Sequence, residues 1–217
     1  MGMHFGLLAV KAPLAELQAA FSNIWPNLEV VASEGGFGDS DSIWRWREQQ
    51  RKFVSANDWS KENPGSEVYF FCQDGPWAVL CDPTYVLPAD TDACAKLSEV
   101  FGTTVSFVVE TTGGCAMFWR YDSGELRRHI ESVDGQVSHT GDKMPEESTL
   151  GGHYYMEETE RLMAAFGLSS PEVLPSPRTT QAVEVIDRTD YGHIVQSKGV
   201  GEISGTSTTK KPWWKIW

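Results

Sequence analysis

Leu14, Leu17, Phe21 and Ile24 recur at intervals of three and four residues, the spacing that gathers apolar side chains on one face of a helix. They predict an amphipathic helix over 13–25, with Pro13 suited to its first turn and Pro26-Asn27 ending it. Met3–Val10 before it and Leu28–Ala32 after it read as strands, so the chain opens as a β-α-β unit. Ser33–Ser42, rich in Gly, Asp and Ser, reads as a loop. Over 43–56 two periods compete. Trp44 and Trp46 alternate as in a strand, whereas Ile43, Trp46, Phe53 and Val54 fit a helix, so the segment reads as strand first and helix later.

Glu67–Gln73 and Trp77–Asp82 flank Asp74-Gly75-Pro76 and predict a hairpin. Asp90 suits the N-cap of a helix carrying Ala93, Leu97, Val100 and Phe101 on one side, with Gly102 as its stop. Thr104–Glu110, Ala116–Tyr121 and Glu125–Val133, separated by Gly113-Gly114 and Asp122-Ser123-Gly124, predict a three-stranded meander. A last helix is expected over 156–166, with Leu162, Met163 and Phe166 apolar and Gly167 behind it. Residues 77–110 repeat the strand-helix-strand order of 3–32. The element order implies an α+β fold, helices packed on one mixed, largely antiparallel sheet.

From Ser169 the pattern changes, and Pro171, Pro175 and Pro177 mark a boundary. Residues 1–168 are therefore expected as the packed domain and 169–217 as an extension. Within the extension, Gln181–Asp187 and His193–Gln196 suggest a small hairpin turning near Asp190-Tyr191-Gly192. Lys198–Lys211, rich in Gly, Ser and Thr, reads as a flexible linker to a tryptophan-rich end, Pro212-Trp213-Trp214-Lys215-Ile216-Trp217.

The length of 217 residues suits one domain and an appendage. A formal charge of −12 sets the chain against nucleic-acid phosphates and favours a basic protein as partner. The acidity belongs to 1–168, where 25 Asp and Glu face 12 Lys and Arg. No apolar run reaches the ~18–20 residues of a membrane span, and the apolar start lacks a basic leader, so stable membrane insertion is not expected and a cytoplasmic location is. Cys72, Cys81, Cys94 and Cys115 form no C-x-x-C pair; Cys72 and Cys81 lie on expected neighbouring strands, but their apolar surroundings favour buried thiols.

Motifs of chemistry are weak. Asp39 and Asp41 open like a calcium loop, but Ile43 and Trp44 stand where an oxygen ligand and a Gly belong. The five histidines, His4, His129, His139, His153 and His193, show no zinc spacing. Gly35-Gly36-Phe37-Gly38 lacks the Lys and Ser/Thr of a phosphate loop. Cys115 opens an apolar strand without a cationic neighbour to activate it. Neither cofactor nor metal is expected. Acidic groups such as Glu146-Glu147 read as helix-start features or an interface patch. Arg45, Arg47, Arg51 and Lys52 read as local salt-bridge partners of the domain's own acids or, with Trp44 and Trp46 among them, as an interface anchor. The terminal tryptophans offer a docking peptide, in the same chain, on a partner, or weakly at a membrane surface.

Trp77-Ala78-Val79-Leu80, the helix after it, Val105–Glu110 and the run Phe118-Trp119-Arg120-Tyr121-Asp122-Ser123-Gly124-Glu125-Leu126-Arg127-Arg128 resemble small bacterial α+β proteins, as does the ending Lys211–Trp217. The group includes toxin-immunity proteins, which bind a cognate toxin and block it. The resemblance spans about 77–168 and the tail, and implies an inhibitor that binds and blocks a toxin; the acidic charge makes a basic partner, occluded by this chain, the expected one. The expected contacts, read from the residues themselves, are Trp44, Trp46, Glu146, Glu147, Trp213, Trp214 and Trp217. A small hydrolase-like enzyme with a cleft near Cys115, Asp82 or His129, and an adaptor recognised through its tail, are the alternatives.

Overall fold

The computed structural model describes residues 4–50, 66–170 and 180–189. In chain order the elements are β1 His4–Val10, α1 Leu14–Ile24, β2 Leu28–Gly35, α2 Ser40–Gln50, β3 Ser66–Asp74, β4 Trp77–Asp82 and α3 Thr91–Phe101. There follow β5 Thr103–Glu110, β6 Cys115–Asp122, β7 Glu125–Val133, β8 Gln136–Thr140, a 3-10 turn Pro145–Thr149, α4 Met156–Phe166 and β9 Gln181–Asp187. The strands build one open sheet in the order β2-β9-β3-β4-β1-β5-β6-β7-β8. The fold is α+β and mostly sheet, with a few short helices laid over it.

Among the described residues every strand pairing is antiparallel, so the sheet is not mixed. The reason lies in the crossovers. The opening β-α-β run does not close on itself, because β2 goes to the edge. The strand that returns toward β1 is β3, and β4 stands between them. In the same way β1 stands between β4 and β5, which α3 connects. Strands joined through a helix run the same way but are split by an antiparallel neighbour, the split β-α-β arrangement.

Both faces of the sheet are apolar. On one side Leu8 and Val10 of β1 meet Leu17 and Phe21 of α1 and Leu97 of α3. On the other, Leu7 and Ala9 share a core with Ile43 and Trp46 of α2 and with Leu162 and Met163 of α4. Helix starts are anchored by side-chain acceptors. Gln73 Oε1 accepts from Leu14 N–H at 2.7 Å, and Asp90 caps α3 by accepting from Ala93 N–H at 3.1 Å. Trp25 Nε1 donates to the same Asp90 at 3.0 Å and ties the two helices together.

Three further segments depart from the sequence expectation. Residues from Ser40 to Gln50 form α2, not a loop and a strand, because Ile43 and Trp46 bury one helical face; residues 51–56 lie outside the described residues. Gln181–Asp187, expected in a separate extension, is inserted between β2 and β3 as β9. Its expected hairpin partner His193–Gln196 and the linker 198–211 lie outside the described residues. The meander gains a fourth strand, β8, paired from Val133↔Gln136 to His129↔Thr140. At Gly6 a Cβ would stand 2.7 Å from Tyr85 Cα, so glycine there lets the loop after β4 cross β1 closely.

One buried ion pair holds the chain after β8 against the sheet. Arg128 of β7 donates from Nε to Glu147 Oε1 at 2.8 Å and from Nη2 to Oε2 at 2.6 Å. Its Nη1 donates to the Gly141 carbonyl at 2.8 Å, and Glu147 Oε1 also accepts from Met144 N–H at 3.0 Å. The side chains are only 5 % and 3 % exposed, so each charge depends on the other. Arg128→Met or Glu147→Gln alone should each cost ~3–5 kcal/mol in urea unfolding. Arg128→Met with Glu147→Leu should cost less than the two single changes summed; additive losses would show that the pair does not act as a unit.

Candidate functional site

The groups that could carry chemistry are dispersed over one face of the sheet. Trp119 pairs with His129 across β6 and β7, and Cys115 lies four residues before Trp119, a separation of ~13 Å along the strand. Asp82 lies in the row Asp82–Gly6–Val108–Met117, three strand spacings or ~14 Å from β6. Thiol, imidazole and carboxylate therefore share no centre.

Each of them has an internal role. Asp82 is fully enclosed and accepts from Thr84 N–H at 2.7 Å, Thr84 Oγ1 at 2.6 Å and Leu87 N–H at 2.9 Å, which shapes the turn after β4. Burial raises its pKa, while the bonds from Thr84 and Leu87 pull it back. His129 stacks on Trp119 with ring centroids 5.1 Å apart and planes 7° from parallel. Burial pushes its imidazole down, Glu131 opposes that, and Arg128 adds to it. The four cysteines are free thiols. Burial pushes Cys115 up to about 11, helped by Glu131 and Glu110, and Cys72 up to about 12, helped by Asp74. Such thiols are the reverse of activated nucleophiles. Asp39 serves as the cap of α2, accepting from Ser42 N–H at 2.6 Å. No group of three or more metal-ligating side chains occurs among the described residues.

Among the described residues, the expected contacts Trp46, Glu146 and Glu147 do not form one exposed patch. Trp46 is buried against Phe37, with centroids 6.1 Å apart, and belongs to the core. Trp44 lies two residues earlier on α2. Glu147 is held by Arg128 in the interior. Glu146 is half-buried, with Oε1 3.9 Å from Arg120 Nη1 and Oε2 enclosed without a hydrogen-bond partner among the described residues. Trp213, Trp214 and Trp217 lie outside the described residues. Helical geometry explains the change for Trp46: in a strand it would share a face with Trp44, whereas in α2 it shares one with Ile43.

The described surface has an apolar feature the pattern did not single out. Val30 and Val31 of β2 are adjacent and each 43 % exposed. β2 is an end strand of the sheet, paired on one side with β9 and on the other with nothing among the described residues. Its register breaks between Val30 and Ala32, leaving Val31 as the extra residue of a bulge. Glu29 and Glu34 stand on either side and are exposed; Glu29 Oε2 accepts from Arg188 Nε at 2.7 Å. The legible signal was a doubled valine between glutamates, which interrupts the alternation of a half-buried strand. Reading Leu28–Ala32 as a strand of a β-α-β unit does not say whether that strand lies inside the sheet or at its edge.

Comparison of the chain with protein-family models, curated proteins and solved structures finds no match. Alkylation of the native chain with iodoacetamide should label Cys115 ahead of the buried thiols. The rate should rise about tenfold per pH unit from pH ~7 to ~9 without levelling, since only the thiolate reacts. A rate already level near pH 7 would instead reveal an activated thiol.

Proposed function

We propose that this chain is a protein-binding protein, an immunity-like inhibitor that occludes a basic partner in the cytoplasm. The observation that carries this reading is the β2 edge, where two exposed valines stand between two exposed glutamates on a strand with an open side among the described residues. An edge of this kind accepts an added strand from another chain, with main-chain bonds supplying affinity and side chains supplying selectivity. The formal charge of −12 accelerates encounter with a basic protein and disfavours nucleic acid. Four reduced cysteines suit a reducing compartment. No described helix is long and apolar enough to cross a membrane.

The bulge at Val31 gives the edge selectivity. A bulge twists an edge strand and discourages indiscriminate pairing, so a partner must match its local twist. Glu29 and Glu34 pair with Ile186 and Ala182 of β9, which lie four residues apart on one strand and therefore share a face. A partner with basic residues at that interval meets both.

Affinity capture with the full chain from its native host should recover one stoichiometric basic protein at low salt, and markedly less at about 0.5 M salt, where charge attraction is screened within a few ångströms. A chain carrying Glu29→Lys and Glu34→Lys should recover it poorly. Recovery of no stoichiometric protein, or of one indifferent to both changes, would overturn the proposal.

A further inference from the structure

The chain leaves the sheet beside the open strand. β9 pairs with β2 along its length, from Gly35↔Gln181 to Leu28↔Asp187, and Arg188 N–H still donates to the Asn27 carbonyl at 2.8 Å. Arg188 therefore stands at the Leu28 end of β2, one strand inside its open edge, and residues 190–217 follow in the sequence. They close on Lys210-Lys211-Pro212-Trp213-Trp214-Lys215-Ile216-Trp217.

We propose that Lys210–Trp217 lies along the open edge of β2 in the same molecule, as an added strand. Charge and spacing both argue for this occupant. Glu29 and Glu34 share one face of the sheet, opposite β9 residues four apart. Lys211 and Lys215 are also four apart, so in an extended segment they share a face at the matching interval. Trp214 and Ile216 then fall on the other face, the side on which Val30 stands opposite Val185. Placed there, they cover apolar surface that the described residues leave open. Among the described residues Glu29 meets Arg188 through Oε2, which leaves its second oxygen for a lysine. Pro212 donates no N–H, and a sheet tolerates proline on an outermost strand.

Length also fits. β2 has eight residues, as has Lys210–Trp217, and each spans ~26 Å when extended. The link 190–209 has a root-mean-square reach of ~25 Å even as a random coil, about the length of β2. The segment can thus return to either end of the strand. A basic partner using the same edge would have to displace it, but the docking does not depend on such a partner.

Hydrogen exchange of the full chain tests the placement. The variant W213A/W214A/W217A, at full length, should exchange the amides of 28–35 about tenfold faster than the unaltered chain. The amides of β1 should not change. E29K/E34K should accelerate 28–35 in the same way, and excess synthetic peptide Lys210–Trp217 should restore protection to the tryptophan variant. Equal exchange at 28–35 in the unaltered chain and the tryptophan variant overturns the proposal. Protection that grows with protein concentration would place the segment on a second molecule and overturn docking within one chain. No partner takes part in the measurement, so its failure and a failed affinity capture are separate results.

Discussion

Leu7 and Leu8 are adjacent in β1, point to opposite faces of the sheet and are both enclosed, at 2 % and 0 % exposure. A strand apolar on both sides must lie inside the sheet and be covered twice. β1 meets this demand by pairing with β4 on one side and β5 on the other, with helices over both faces. The central place of β1 forces the strands joined by helices apart and gives the split crossover pattern. It also brings the loop after β4 across Gly6, the one β1 residue with no side chain to obstruct it.

Polar groups in the interior serve this arrangement. Asp82 shapes the loop that passes Gly6, Gln73 and Asp90 hold helix starts, and Arg128 with Glu147 fastens the segment after β8 to the sheet. Each is engaged by donors or by an opposite charge, which is the condition for burying it. Burial keeps the thiols protonated, and His129 faces an indole in place of a nucleophile. Among the described residues, exposed large apolar side chains stand both on a helix, Val100 of α3, and at the rim of the sheet, Val30 and Val31 of β2.

The rim is asymmetric. β8 at one end is short and bears Gln, Ser and Thr with His139 and Val137, while β2 at the other has eight residues and displays two valines. β2 owes its length to β9, which pairs with it from end to end. A strand contributed from late in the chain thus extends the sheet beyond β3 and creates the edge on which the functional proposal rests.

Much of the fold was legible locally. The helix carrying Leu17 and Phe21, the capped helix after Asp90, the hairpin at Gly75 and the meander from Thr104 all follow from short-range periodicity and turn residues. The site was not. Glu147 and Trp46 looked like surface anchors because composition does not say which way a helix turns its face or which buried charge finds a partner. Alternation of apolar and polar residues tells a strand which face is buried, but not which strand lies beside it. Local sequence therefore determined the elements and their apolar faces. Only the tertiary structure decided that Gln181–Asp187 enters between β2 and β3, that Arg128 meets Glu147 and that Val30 and Val31 stand at an edge, since each depends on contacts between residues far apart in the chain.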